Sequence, residues 1–343
     1  MKKILKGFAI VTFVCLAAAL LAIQYVHSLM DKPLNLAEAA YILEIKKGDT
    51  LSRLAYRLSD EGMISHPRLF TLYGRYYGYA TQIKTGEYQV VPGDTALVLL
   101  DKLKRGTVIR YSLTLIEGHT LKDFRKQLED TPKLESVLSG VSSSEIMTKL
   151  GVPEHHFEGY FYPDTYYYQK GDSDYDILKR SFIRMNDVLT EEWKNRAEDL
   201  PYKTPYEALI MASIVEKETG QPSERAKIAS VFVRRLQKKM RLQTDPTVIY
   251  GLQERYQGNL TRRHLREKTP YNTYRIFGLP PTPIANPGKD AIHAALHPEP
   301  TNALYFVARG DGSHYFSATL EEHQKAVRQY QLKKKKNYRS SPR

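Results

Sequence analysis

The chain has 343 residues, of which 51 are Lys or Arg and 38 are Asp or Glu, so its formal net charge is +13 at pH 7. The apolar share of 42% is enough to bury cores, which excludes wholesale disorder, and the length suggests roughly two folded units. The single cysteine, Cys15, excludes an intrachain disulfide and any metal site built from several thiolates.

Most of the net positive charge, nine of the thirteen excess charges, lies at the two ends of the chain. Three lysines lie within the first six residues, and residues 333–343 carry six Lys or Arg and no acid. We therefore expect residues 333–343 to form a basic disordered tail. A nucleic-acid-binding protein would place its positive charge on a folded face, so no nucleic-acid partner is predicted.

An apolar run near the N-terminus indicates the compartment. Residues 7–30 contain no Lys, Arg, Asp or Glu, and a helix of this length can cross a hydrocarbon core of about 30 Å. Because lysines precede it, residues 1–30 are predicted to form a cytoplasmic tip and a single-pass inner-membrane anchor, with the following chain in the periplasm. The alternative is a cleaved signal peptide, for which the small-x-small sequence at 37–39 is the only candidate cleavage region after the apolar run. Residues 31–40 are expected to be a juxtamembrane linker.

Cofactor and metal motifs are missing from the sequence. It has neither a Gly-x-Gly-x-x-Gly fingerprint nor a Walker-type loop, and an extracytoplasmic site has no nucleotide supply, so no cofactor is predicted. His293 and His297 have the spacing of a helical pair, but there is no His-Glu-x-x-His motif, and the nearby Glu299 follows a proline. We therefore predict no metal site.

A pattern of strand, Gly-x-Thr and helix occurs three times, with the threonines Thr50, Thr95 and Thr120 each placed to cap a following helix. It predicts a small α+β architecture. The first copy resembles the start of a LysM carbohydrate-binding module, and the resemblance extends over 41–105. The alternative for this segment is a βα unit that packs against the next domain and binds no glycan.

The next part of the chain, within 106–332, is predicted to be a larger α+β domain. Helices are predicted over 174–192, 205–219 and 223–240, followed by two irregular stretches near 244–258 and 269–288, and by a hairpin around Gly310-Asp311-Gly312.

The helix over 205–219 carries the strongest candidate for chemistry. At 100° per residue, Glu218 falls within the apolar sector of this helix, whereas Glu216 falls on a mixed face. Burial and the negative end of the helix dipole both raise a carboxyl pKa, and cleavage of a glycosidic bond needs an acid that stays protonated near neutral pH. The alternative is a helix-end acid paired with Arg225 or another basic side chain.

Several long motifs make the chain resemble the MltG-type endolytic murein transglycosylases, also called the YceG-like family. The resemblance lies on 158–166, 211–219, 230–236, 240–251, 271–274 and 278–281.

This resemblance implies cleavage, without water, of the β-1,4 bond between N-acetylmuramic acid and N-acetylglucosamine inside peptidoglycan glycan strands. The catalytic glutamate of the family maps onto Glu218. That residue would protonate the leaving oxygen and then accept the proton of the muramic C6 hydroxyl, which closes a 1,6-anhydro ring. The resemblance also implies action on nascent strands near peptidoglycan synthases.

Polar and aromatic side chains in the later motifs are expected to line the sugar cleft. They are Gln243, Thr244, Asp245, Tyr250, Tyr271, Asn272 and Tyr274, with Glu158 and Asp164 as further candidates to bind sugar or orient Glu218. The alternatives are structural: Asp245-Pro246 as a turn or a helix start, Asn272 as a bridge between backbone groups, the tyrosines as packed side chains, and Glu158 and Asp164 as parts of a turn. At the level of the whole protein, the alternative to an enzyme is a peptidoglycan-binding protein that does not cut.

Overall fold

A computed structural model describes residues 2–36 and 39–332 of the chain. The predicted tail, 333–343, and part of the alternative cleavage region lie outside the described residues. Two compact units are present: the first contains 1–111 and 167–171, and the second contains 112–166 and 172–343. The protein is a mixture of helices and short two-stranded sheets, which agrees with the predicted α+β class.

The first unit begins with helix α1 (Lys2–Met30), the one described helix that is long and apolar enough to cross a membrane. Its apolar side chains are exposed over most of its length. Near its end, Val26, Leu29 and Met30 pack onto the core of the unit. The helix thus enters a folded body at its last turn, and its composition fits a single-pass anchor.

The rest of the first unit is a two-stranded sheet with three helices. The elements are β1 (Tyr41–Ile45), α2 (Leu51–Asp60), α3 (Pro67–Tyr76), β2 (Gly86–Val90) and α4 (Ala96–Arg105). β1 and β2 are antiparallel, with Leu43 opposite Tyr88 and both side chains fully buried. The predicted capping threonines are confirmed, since Thr50 and Thr95 accept hydrogen bonds from the third residue of α2 and α4, as Thr120 does for the helix Leu121–Glu129.

The second unit is mainly helical. Its helices are α5 (Leu121–Glu129), α6 (Ser143–Lys149), α7 (Asp174–Lys194), α8 (Pro205–Glu218), α9 (Arg225–Gln237), α10 (Asp245–Leu252), α11 (Arg262–Arg266), α12 (Lys289–Leu296) and α13 (Leu320–Val327), with 3-10 turns at Pro222–Glu224 and Gln253–Arg255 and a π turn at Arg328–Leu332. The short strands β3 (Tyr111–Thr114) and β4 (Thr165–Tyr168) pair with each other. The predicted hairpin is confirmed as β5 (Tyr305–Ala308) and β6 (His314–Ser317), which pair antiparallel.

Helix α8 forms the centre of the second unit. Thr204 caps it and Pro205 occupies its first turn, as the sequence predicts. All eight residues from Ala208 to Val215 are buried, and α7, α9, α10 and α12 pack around the helix. A helix that is apolar on every side belongs in a core, so the position of its last turn is fixed by the surrounding helices.

One expectation about this region is wrong. The stretch 244–258 is not irregular throughout, because α10 occupies Asp245–Leu252. Asp245 and Pro246 form its first turn, and Val248 and Leu252 are buried. Burial of these apolar side chains against the neighbouring helices outweighs the weak helix propensity of the β-branched run.

Candidate active site

Glu218 is the last residue of α8. The next residue, Thr219, adopts an extended conformation with φ −146° and ψ 133°, so the chain leaves the helix directly after the acid. The Glu218 side chain is partly buried and lines a cleft of about 530 Å³. This cleft also contains side chains from α9, from the start of α10 and from the β5–β6 hairpin.

Thr244 contacts the Glu218 carboxyl directly. Its hydroxyl donates a hydrogen bond to Glu218 Oε1. Thr244 is 2% exposed, and its backbone N–H donates to Thr273 Oγ1 at 3.0 Å. The preceding residue, Gln243, has a left-handed conformation with φ 52°. This conformation is uncommon for a residue other than glycine and is held in place by the N–H of Gln243, which donates to the Thr273 carbonyl at 3.2 Å.

Burial raises the pKa of Glu218 to about 7. The hydrogen bond from Thr244 opposes this shift because it stabilises the carboxylate, and the positive charge of Arg235 acts in the same direction. The negative charge of Asp245 raises the pKa further. The result is a carboxyl group that can both give and accept a proton near neutral pH.

Arg235 lies in the same cleft and joins two of its walls. It is 8% exposed; its Nε donates to the carbonyl of Leu304 at 2.7 Å and its Nη1 to the carbonyl of Leu242 at 2.7 Å. These carbonyls directly precede Gln243 and Tyr305, both of which line the cleft. Arg235 therefore fixes both lining segments while it supplies a cation to the site.

Aromatic rings form another part of the cleft. Tyr274 donates its hydroxyl proton to Asp245 Oδ1 at 2.7 Å, and Tyr305 stacks on His323 with ring centroids 5.1 Å apart. Phe306 completes this wall. Flat apolar faces beside polar groups are well suited to contact a sugar ring.

Glu216, two residues before Glu218, has a different role. Its Oε1 lies 3.3 Å from Arg225 Nη2, and its Oε2 accepts a hydrogen bond from Gly288 N at 3.0 Å. The pairing of Glu218 with Arg225, one part of the sequence alternative, is therefore wrong. Arg225 pairs with Glu216 and also with Glu117 and Asp290.

Glu158 and Tyr250 lie in another cleft, of about 730 Å³. Glu158 is 2% exposed, and burial raises its pKa to about 7. Its Oε1 accepts from Leu121 N at 2.9 Å, and its Oε2 accepts from the Tyr250 hydroxyl at 3.2 Å. No described hydrogen bond or ion pair joins Glu158 to Glu218. The expectation that Glu158 orients Glu218 therefore has no contact in the described residues to support it.

The remaining predicted residues contact the surrounding loop or strand. Asn272 is fully buried, and its amide donates to the carbonyls of 264, 265 and 267 while its oxygen accepts from Tyr274 N at 3.0 Å. Tyr271 packs edge-to-face on Tyr250 and bonds Thr282 Oγ1 at 2.8 Å. Asp164 is exposed at the start of β4, and its Oδ1 accepts from Thr165 N. Asn272 thus positions Tyr274, which lines the Glu218 cleft, without lining that cleft itself.

Glu192 lies beside His293 and His297, and one potential metal-ligand atom of each of the three side chains lies within 4.8 Å of the others. His297 Nε2 lies 2.7 Å from the carbonyl oxygen of Asn195 and its Nδ1 lies 3.2 Å from that of His293, so both ring nitrogens of His297 face backbone acceptors. His293 Nδ1 lies 2.8 Å from Glu192 Oε2, and the Lys289 ammonium lies 3.8 Å from Glu192 Oε1. This geometry fits an ion-pair cluster better than a metal centre.

Sequence reasoning did not select most residues of the Glu218 cleft, among them Arg235, Tyr305 and His323. Arg235 falls inside one of the resembling motifs, and its position in a run of buried apolar residues was the available signal. Tyr305 and His323 come from the hairpin and from α13, and no local pattern connects them with α8. Their contribution depends on the tertiary fold.

Comparison with known proteins identifies the class of protein. A model of the YceG-like family matches residues 43–329. The chain therefore belongs to the YceG-like family.

Particular relatives are similar over most of this chain. A Bacillus subtilis (strain 168) protein named endolytic murein transglycosylase is 31% identical over 326 residues, which cover 90% of each chain. Its namesake in Streptococcus pneumoniae serotype 2 strain D39 is 27% identical over 338 residues, covering 87% of this chain and 60% of that protein. The crystal structure of a yceG-like protein from Listeria monocytogenes is 33% identical and superposes with a TM-score of 0.53, over 84% of this chain and 99% of the other.

Proposed function

We propose that this protein is a membrane-anchored peptidoglycan lytic transglycosylase in which Glu218 is the catalytic acid and base. Membership of the lytic transglycosylase class rests on the relatives, which are named endolytic murein transglycosylases. The observation that carries the catalytic assignment is the position of Glu218. Its carboxyl lines an open cleft with a pKa raised to about 7, beside a hydroxyl, a guanidinium and aromatic rings.

The substrate is a peptidoglycan glycan strand, cut at the β-1,4 bond between N-acetylmuramic acid and N-acetylglucosamine. Protonated Glu218 gives its proton to the departing glycosidic oxygen as the bond to the anomeric carbon breaks. The resulting carboxylate takes the proton of the muramic C6 hydroxyl, whose oxygen bonds to the same anomeric carbon. The products are a free N-acetylglucosamine 4-hydroxyl and a 1,6-anhydro end, and Glu218 is again protonated.

Neighbouring groups make this double role feasible. When Glu218 is ionised, the Thr244 hydroxyl and the Arg235 cation stabilise it, so the proton can leave. When it must recover the proton, burial and the negative charge of Asp245 favour the neutral acid. The balance keeps both states accessible within one catalytic cycle.

The identity of the product separates this chemistry from hydrolysis. Asp245 lies in the same cleft, and a hydrolase uses a second carboxylate to activate water or to attack the sugar. Asp245 instead accepts a hydrogen bond from the Tyr274 hydroxyl, which points to a role in setting the charge of the cleft. Hydrolysis would leave a reducing N-acetylmuramic acid end rather than an anhydro ring.

The proposal also includes location and partners. Residues 1–30 are proposed to anchor the protein in the inner membrane, with the N-terminus in the cytoplasm and the chain that follows the anchor outside. The unit around β1–β2 is proposed as a LysM-like module that holds glycan, and the enzyme is proposed to cut nascent strands beside the synthases and so limit their elongation.

The test uses the full-length protein in detergent with purified glycan strands. Mass spectrometry should detect 1,6-anhydro ends, and Glu218→Gln should reduce their rate of formation by about 10²–10⁴-fold. Glu321→Gln, an exposed acid in the first turn of α13, is the matched control and should keep full activity. Cleavage that survives Glu218→Gln would overturn the assignment, and strands that bind to the wild type without being cut would favour the binding-protein hypothesis.

A further inference from the structure

The outward face of α3 carries an unusual combination of side chains. Helical spacing places Arg68, Leu72, Arg75 and Tyr76 on one stripe, and Tyr77 follows at the helix end. All five are exposed, with Leu72 63% and Tyr76 80% accessible. We call these five residues the α3 patch. Neither arginine forms an ion pair with a carboxylate in the part of the chain that the structure describes.

The other side of α3 is firmly packed, so the patch is held in a defined position. Phe70, Thr71 and Gly74 are buried against the core of the first unit. A Cβ at Gly74 would come within 2.3 Å of Leu51 Cδ2, which shows how closely α2 and α3 approach. The exposed stripe is therefore the single face of α3 that the first unit leaves uncovered.

A continuous aromatic contact joins this patch to the end of α1. His27, in the last turn of α1, has its Nδ1 3.2 Å from the Tyr73 hydroxyl. Tyr73 packs on Tyr77 with ring centroids 4.4 Å apart, and Tyr77 packs on Tyr76 at 5.0 Å. The α3 patch thus begins one side chain away from the apolar helix.

The length of α1 sets the depth of this contact. The apolar segment runs from Lys6 to Met30, 25 residues, whereas a hydrocarbon core needs about 20. Counted from Lys6, the core ends near Val26, so His27 and the tyrosine beside it fall in the headgroup layer. Tyrosine is enriched at that depth, and arginine pairs there with lipid phosphate.

We propose that the α3 patch lies on the outer surface of the bilayer, with Leu72 and Tyr76 in the headgroup layer and Arg68 and Arg75 on phosphates. This inference rests on the proposed membrane anchoring of α1. The partner is phospholipid rather than a protein, because the patch continues directly from the helix that enters the lipid. An amphipathic helix with arginines beside large apolar side chains is suited to such a surface.

The test places an environment-sensitive fluorophore on single cysteines of the full-length protein in nanodiscs of phosphatidylglycerol and phosphatidylethanolamine. In a Cys15→Ser background, Leu72→Cys and Tyr76→Cys are labelled separately. Arg53→Cys is the matched control, since Arg53 is exposed on α2, the helix that covers the inner face of α3. Native Cys15, exposed on α1, reports on the anchor.

Labels at 72 and 76 should be blue-shifted, and lipids with a nitroxide near the top of the acyl chain should quench them about twofold or more over the Arg53 label. Equal quenching at 72, 76 and 53 would overturn the inference, as would a blue shift at 72 and 76 without lipid quenching, which would indicate a protein partner. If a deep nitroxide fails to quench Cys15, the anchor itself is refuted and the inference with it. If the deep nitroxide quenches Cys15 but the labels at 72 and 76 report an aqueous environment, the inference is refuted while the proposed anchor stands.

Discussion

The hydroxyl of Thr244 donates a hydrogen bond to the carboxyl of Glu218. This contact joins the last residue of α8 to the N-terminal cap of α10, two helices that the sequence separates by a whole further helix, α9. The hydrogen bond also lowers the pKa of the Glu218 carboxyl, whereas burial raises that pKa. Glu218 is therefore both positioned and tuned by its neighbour.

The first prediction concerns the pH dependence of cleavage. Because the proposed reaction begins with protonated Glu218 and burial raises the pKa of that residue to about 7, kcat/KM should be level below this pH and fall tenfold per unit above it. Initial rates of anhydro-end formation between pH 5 and pH 9 measure this. Burial also raises the pKa of Glu158 to about 7, so Glu158→Gln must retain the alkaline fall if Glu218 is its source.

The second prediction uses the two adjacent residues, Thr244 and Asp245. The Thr244 hydrogen bond lowers the pKa of Glu218, whereas the negative charge of Asp245 raises it. Thr244→Val should therefore move the alkaline fall in kcat/KM to higher pH, and Asp245→Asn should move it to lower pH. Shifts in the same direction for both variants would contradict the electrostatic description of the cleft.

The third prediction concerns stability. Raising a carboxyl pKa from 4.5 to about 7 means that the folded protein binds more protons than the unfolded chain between these values, so the free energy of unfolding falls as pH rises through this window. Glu218→Gln removes the titrating group and with it this fall in the free energy of unfolding. The variant should equal the wild type near pH 4.5 and exceed it at pH 8, by on the order of 1–3 kcal/mol.

Denaturant titrations at the two pH values measure this difference. Glu321→Gln again serves as the comparison because its side chain is exposed at the start of α13. A stability gain from Glu218→Gln that is the same at both pH values would show that the carboxyl is not desolvated in the folded state.

The fourth prediction separates the two acids of α8. Glu216 pairs with Arg225 and accepts a bond from Gly288 N, so Glu216→Gln should lower the free energy of unfolding by about 1–3 kcal/mol. Since Glu216 is absent from the Glu218 cleft, the folded variant should keep its rate of cleavage at low temperature. Thermal unfolding together with product analysis checks both results. A stable but inactive Glu216→Gln would move the catalytic assignment to Glu216.

Local patterns predicted much of the fold. The three capping threonines, the helix that begins at Pro205 and the hairpin before α13 depend on interactions within a few residues, and such interactions are visible in the order of residue types. Asp245-Pro246 was recognised as a possible helix start, but the extent of α10 was missed because its stability comes from burial of Val248 and Leu252 rather than from its own propensities.

The candidate site was predictable only in part. The helical projection placed Glu218 on the apolar side of α8, which agrees with its buried surroundings, but the same projection gave no reason to expect the pairing of Glu216 with Arg225. Arg235, Tyr305 and His323 reach the cleft from segments far apart along the chain. Which of them meet Glu218 depends on tertiary packing, and periodicity carries no information about that.

The raised pKa of Glu218, the last residue of α8, has a consequence for inhibitor chemistry. A cationic sugar mimic gains electrostatic attraction only from an ionised carboxylate, and below about pH 7 it must first displace the proton of Glu218. An uncharged mimic with a well-placed acceptor atom would instead accept a hydrogen bond from the protonated Glu218 carboxyl. Neutral lactam-like or amide-bearing sugar analogues should accordingly be the better starting compounds against this enzyme in mildly acidic surroundings.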